Sequence, residues 1–178
     1  MNKETKKYSN LIFVDCEARG TSPVNGVMTE FGAVHLNTRY TFHGKLYEAH
    51  PDPENPAVPV VGDPCSSSLE VARALADWLE ALRDDGNMRG RAVMVSDNPA
   101  YDFMWIAGMF DEAGMDNPFG HSARRISDFY AGLTGDWNST QAWKKYRKTP
   151  HDHNPVNDAM GNAEAFDHIL YLASEGTL

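Results

Sequence analysis

The stretch Leu11-Ile12-Phe13-Val14-Asp15-Cys16-Glu17 constrains the fold more than any other part of the chain. Four consecutive apolar residues, three of them β-branched or aromatic, specify a buried strand, and Gly20 and Pro23 punctuate its end. Side chains alternate along a strand, so Asp15 and Glu17 share one face while Cys16 turns into the opposite layer. Two carboxylates at the end of a buried strand repel one another and resist desolvation unless a cation sits between them. A hard divalent ion fits that demand. Two solvated acids just past a strand end fit the same residues, so the distant acids must decide between the readings.

Asp102 stands in the first turns of a helix expected after Ser96-Asp97-Asn98-Pro99-Ala100-Tyr101. Asp158 stands in the first turn of the last helix, five residues after His153. Either aspartate alone would merely complement a helix dipole. Together with Asp15 and Glu17 they put four acids and a histidine at ends of elements that can converge on one cleft.

The rest of the pattern supports such a cleft. Met28–Leu36 and Tyr40–Tyr47 read as strands joined by Asn37-Thr38-Arg39, which extends the first strand into an antiparallel meander. His50 to Ser68 carries five prolines and is expected to be a loop that packs over an edge or rims a cleft. Ser67-Ser68-Leu69-Glu70 is a capping box opening an amphipathic helix that runs to Gly86. A strand over Arg91–Ser96 leads through Pro99 into a helix ending at Gly114. Weaker helical signals cover Ile126–Leu133 and Ser139–Lys148, and Asn154-Pro155 caps a closing helix. The sum is an α/β or α+β domain, a mixed sheet flanked by helices, with ligands outside strand ends.

At 178 residues, one domain with its own core is expected, covering residues 10–175 after a polar tail of residues 1–9. No apolar run reaches membrane-spanning length, and no signal-type apolar core follows the lysine-rich start. Cys16 and Cys65 form no close-spaced motif, so a soluble protein of the reducing cytoplasm, with no membrane partner, is expected. The formal net charge of −9 excludes a broad basic surface that coats long nucleic acid. It agrees with an acid-built site that grips a few nucleotides at a chain end.

These motifs resemble the DEDDh 3′→5′ exonucleases of the ribonuclease H-like superfamily, which include oligoribonuclease, ribonuclease T and the proofreading subunit of a bacterial DNA polymerase. The first family motif is matched by Asp15-Cys16-Glu17, and the second strand of the family by Met28-Thr29-Glu30-Phe31-Gly32-Ala33-Val34. The second motif corresponds to Asp97-Asn98-Pro99-Ala100-Tyr101-Asp102, and the third to His153 followed by Asp158. The resemblance runs from Leu11 to about Leu172. It implies a ribonuclease H-like mixed sheet, an antiparallel meander plus parallel strands, flanked by helices. It further implies that Asp15, Glu17, Asp102 and Asp158 hold two Mg²⁺ or Mn²⁺ ions, with Asp15 touching both, and that His153 acts as general base. The substrate would be single-stranded RNA or DNA with a free 3′ end, and the products nucleoside 5′-monophosphates.

Carried over by position, Ala18, Arg19, Gly20, Thr21, Asn98 and Tyr101 are the substrate-binding residues. Only Gly20 keeps the usual family residue among the four that follow Glu17; the apolar base wedge is replaced, and Arg19 could pair with a phosphate or stack on a base. Asp97 stands where the second motif usually has His, as an extra ligand or a rival of Asp102, and the order Tyr101-Asp102-Phe103 favours Asp102. His151 is the rival of His153, and the five-residue step to Asp158 favours His153. Trp143 to Lys148 interleaves two aromatics with four cations, as a strand-tracking surface would, although an ordinary solvated helix face is the favoured reading. Several relatives are homodimers, and Phe110, Trp137 and Trp143 could furnish apolar surface for one. Two other functions fit the same residues: an inactive nucleic-acid-binding or interaction module, and a metal-dependent phosphoesterase on small nucleotides.

Overall fold

The computed structural model describes residues 8–55 and 58–178. In chain order the elements are β1 (Leu11–Arg19), β2 (Val27–His35), β3 (Thr41–Lys45), β4 (Tyr47–Pro51), β5 (Pro59–Pro64), α1 (Ser68–Asp84), β6 (Val93–Ser96), α2 (Pro99–Ala113), β7 (Ala123–Arg125), α3 (Ile126–Thr134) and α4 (Pro155–Ser174). A short 3₁₀ helix, Ala142–Tyr146, precedes α4. Five strands form one sheet in the order β3-β2-β1-β6-β7, and β4 and β5 form a separate ribbon.

The apolar run of β1 makes it the central strand. It pairs antiparallel with β2 and parallel with β6, and β7 continues the parallel set. Ile12, Val14, Cys16 and Ala18 enter the core layer under α1 and α2, while Phe13 enters the layer under α3 and α4. Asp15 and Glu17 continue the face of Phe13, as strand alternation requires. Burying apolar side chains in two layers is what fixes this register, since a slip of one residue would drive both carboxylates into the α1–α2 core.

The expected meander, parallel strands and flanking helices are all present. The capping box at Ser67 and Glu70 forms, with each side chain serving the other residue's backbone N–H. Three expectations need correction. The proline-rich segment is no simple loop: Pro59–Pro64 is a strand, tolerated because its prolines stand at the two ends of a two-stranded ribbon. The strand expected over Tyr40–Tyr47 is cut at the buried Leu46, whose N–H donates to the Thr29 carbonyl while its own carbonyl accepts from Cys65. There the chain leaves the main sheet for the ribbon.

The third correction concerns Ser139–Lys148, where only the single 3₁₀ stretch is helical. Trp143 is fully buried against α3 and α4, and its indole N–H donates to Ser127 Oγ and the Thr140 carbonyl at 3.0 Å each. It is neither a stacking platform for bases nor dimer surface. Phe110 is also fully buried, which leaves Trp137, 80 % exposed, as the one member of that trio at the surface. Residues 1–7 of the expected tail lie outside the described residues; Tyr8 packs edge-on to Phe166, and Ser9 is buried. Among the described residues no helix is long and apolar enough to cross a membrane.

Candidate active site

The carboxylates of Asp15, Glu17 and Asp158 meet, with one ligand oxygen from each lying within 4.8 Å of the others. β1 supplies the first two. Asp158 arrives from the first turn of α4, where the Asn154 side chain caps the helix by accepting from the Val156 and Asn157 N–H groups at 3.0 and 3.2 Å. Pro155 opens that turn with its φ preset for a helix.

Gly32 lets the two elements touch. It stands opposite Asp15 in the β1–β2 ladder, and a Cβ there would lie 2.3 Å from the carbonyl carbon and oxygen of Pro155. Only a bare backbone admits the start of α4 this close to the sheet.

The trio is under electrostatic load. Burial, followed by the charges of Asp102, Asp158 and Glu17, pushes the Asp15 carboxyl well above its ordinary range, while Arg147 opposes the shift. Burial, Asp158, Glu30 and Asp102 push Glu17 up to about 8. Glu30 contributes because it is the direct cross-strand partner of Glu17, and its carboxylate holds His43 Nε2 at 2.5 Å. Asp158 is completely buried, and among the described residues neither of its oxygens accepts a hydrogen bond. His151 Nδ1 approaches Oδ2 to 2.6 Å as an ion-pair contact without hydrogen-bond alignment. A buried carboxylate without hydrogen bonds, facing two others, is the donor set of a hard oxygen-ligated cation, so a divalent metal fits these residues.

Asp102 stands beside this trio and is tied to its scaffold. Its Oδ1 accepts from the Cys16 N–H at 3.0 Å, and its Oδ2 accepts from the Ser96 hydroxyl. Burial raises it to about 7 against those two bonds. Asp97 points elsewhere, pairing with Lys144 at 2.6 Å. That pair also accounts for one of the cations in the basic segment.

The remaining sequence candidates are dispersed around the rim. The Ala18 side chain is in the core, and its carbonyl accepts from the Tyr101 hydroxyl at 3.3 Å. Arg19 reaches away from β1 to Asp52 and the Pro59 carbonyl, both at 3.4 Å, and so ties the ribbon to the end of the central strand. Gly20, at φ 104°, passes so close to Gly26 that a Cβ would lie 2.6 Å from its Cα, and Thr21 donates to Asn25. Asn98 gives its carbonyl to the first turn of α2, and its N–H donates to the Ser96 hydroxyl oxygen at 2.9 Å. His153 lines a cavity of about 330 Å³ together with Glu17, Glu30, His50 and Asp152. Its backbone is left-handed, φ 61°, and its ring lies 4.5 Å from that of His151.

Sequence reasoning did not anticipate Ser96, which fixes Asp102, or Asn162 and Arg147 behind Asp158. Only Arg147 carried a signal, as one of the cations of the basic segment.

No family model and no curated protein matches the sequence. The three-dimensional structure is similar to the nuclease domain of 3′hExo, a DEDDh family member solved bound to rAMP. The two are 13% identical with a TM-score of 0.55, covering 96% of this chain and 94% of that one. The chain has a DEDDh exonuclease-type fold. Weaker similarities, both at a TM-score of 0.46 and 14% identity, are to exonuclease I (91% of this chain, 40% of that one) and to a zinc-bound complex of E. coli exonuclease I with single-stranded DNA (94% and 39%). In this DEDDh-type fold, a ribonuclease H-like α/β arrangement, the end of β1 and the starts of α2 and α4 lie side by side, and they carry Asp15, Glu17, Asp102 and Asp158.

Proposed function

We propose that this chain is a divalent-metal-dependent 3′→5′ exonuclease that removes nucleoside 5′-monophosphates from single-stranded RNA or DNA. The observation that carries the reading is the fully buried Asp158, without a hydrogen bond, facing Asp15 and Glu17 in a DEDDh-type fold. A dead copy of the fold would have no physical reason to keep mutually repelling buried carboxylates.

In this reading Asp15, Glu17 and Asp158 hold the metal, and Asp102 supports the site from the start of α2. Divalent cations bound there would supply charge neutralisation at the scissile phosphate and a lowered pKa for the attacking water. His153 takes the proton of that water. Its left-handed backbone, uncommon for a residue with a side chain, sets the ring on the wall of the cavity that also contains Glu17. His151 lies instead against Asp158, with Nδ1 2.6 Å from Oδ2, and would have to give way for that carboxylate to hold a cation. The 3′-terminal nucleotide must lie against a negative cleft, so a free 3′-hydroxyl is accepted while a 3′-phosphate, a further dianion, is repelled.

The test is a ladder assay on matched single-stranded RNA, single-stranded DNA and duplex. Each is labelled at the 5′ end, with or without a 3′-phosphate, in Mg²⁺, Mn²⁺ or chelator. Stepwise shortening with metal, blocked by the 3′-phosphate, is expected. Equal rates with and without that phosphate would overturn the polarity, and hydrolysis confined to mononucleotides would leave the small-nucleotide phosphoesterase.

A further inference from the structure

Of six buried side-chain atoms that lack a hydrogen-bond partner among the described residues, four fall on three residues: both oxygens of Asp158, Nδ2 of Asn162 and Nε of Arg147. Asn162 is one helical turn beyond Asp158 on α4, so the two share a face. The Arg147 guanidinium donates from Nη2 to Asn162 Oδ1 and lies 5.3 Å from the ring of the buried Trp143. Space for its stem comes from Gly161, where a Cβ would lie 3.3 Å from Arg147 Cδ and 2.7 Å from the Thr149 carbonyl. Glu164, one turn further, accepts from the Lys148 and Thr149 N–H groups at 3.0 and 2.7 Å. The segment carrying Arg147 is thus clamped along the turns of α4 that follow Asp158.

Trp143, Gly161 and Asn162 are therefore arranged around one cation. Among the described residues that cation forms no ion pair, so no carboxylate in direct contact cancels its charge. Through its bond to Asn162 the cation is held one helical turn from Asp158, on the same face of α4. A fixed positive charge set behind like-charged carboxylates lowers the cost of holding them together.

We propose that Arg147 is a positioning residue, a built-in countercharge held by Trp143, Gly161 and Asn162 that keeps Asp15, Glu17 and Asp158 assembled before a metal ion arrives. The inference rests on the metal reading above. It has a consequence of unusual sign: the same charge repels an incoming cation, so removing it tightens metal binding.

The experiment compares the full chain with Arg147→Met, Arg147→Gln and Arg147→Lys. Mn²⁺ affinity is measured by calorimetry, and melting temperature is measured in chelator and in saturating Mn²⁺. The Met and Gln variants are expected to melt lower than wild type in chelator and to recover most of that loss in Mn²⁺. Both should bind Mn²⁺ about three- to tenfold more tightly, the effect of one screened charge. The Lys variant, which keeps the charge, should stay near wild type in affinity. Unchanged or weaker Mn²⁺ binding by Gln and Met, or a Lys variant that behaves like them, would overturn the countercharge and leave a packing role. If Met fails to fold, Gln, which retains an amide donor for Asn162, carries the comparison. A wild-type chain that binds no Mn²⁺ would overturn the metal reading itself, an outcome distinct from an unshifted variant series.

Discussion

Asp15 is held at the centre of a repelling cluster, so exchanging it for a neutral isostere should relieve strain while removing a metal ligand. Asp15→Asn is expected to abolish metal-dependent hydrolysis and to keep or raise the melting temperature in chelator; a fully active variant would sink the assignment of the site. The two histidines separate in a different way. His153→Ala should lower single-turnover rates by about 10²–10⁴-fold across pH 6 to 9, the usual contribution of a general base, with metal affinity nearly intact. His151→Ala should change the rate by less than about tenfold at saturating Mn²⁺. It should also bind Mn²⁺ more tightly, because the ring that approaches Asp158 to 2.6 Å is gone. A larger rate loss for His151→Ala would exchange their roles. At this scale Asp15, Glu17 and Asp158 were legible because strand alternation and a helix cap are local patterns. The bonds of Asp102 to Ser96 and Cys16, and of Arg147 to Asn162, were not, because each depends on how separate elements pack and no local pattern announces it.

Elements differ in how much of their geometry is written locally. The capping box of α1 states its own start, and the helix begins there. The strand at Pro59–Pro64 was hidden because proline content argues against a ladder in general, while what matters is where in the ladder the prolines fall. The helical signal around Trp143 gave way because a buried indole and the clamp onto α4 are worth more than the propensity of a short segment. Contact between β2 and α4 gives a direct test. Gly32→Ala should cost about 1–3 kcal/mol in stability, the usual range for forcing a methyl group into a packed core. It should also weaken Mn²⁺ binding, because α4 must retreat and take Asp158 with it. Ser67→Ala, which removes the cap of α1 on the opposite face of the sheet, should cost about 1 kcal/mol while leaving Mn²⁺ affinity unchanged. Chemical denaturation paired with calorimetry reads both; equal metal affinity in the two variants would show that Gly32 does not set the depth of α4.

For the molecule as a whole, the raised carboxyls give the metal-free protein an inverted pH response. Glu17 and Asp102 keep their protons in the fold up to about 8 and about 7, whereas in the unfolded chain they release them near 4.5 and 3.8. Across that window these two groups hold more protons in the native state than in the unfolded one, so their contribution to stability is fullest below about pH 4 and declines as pH rises through 7 to 8. Melting temperature in chelator should fall between pH 5 and pH 8, and saturating Mn²⁺ should remove most of the fall by favouring the charged carboxylates; a rise in chelator over the same range would contradict the assignment. The trio that produces this response is gathered from opposite ends of the sequence, two members from the first strand and one from the last helix. The chain must therefore be extended past residue 158 before the three can meet. A chain stopped before residue 151 has Asp15 and Glu17 but lacks Asp158 and both loop histidines, so an unfinished copy cannot assemble the trio.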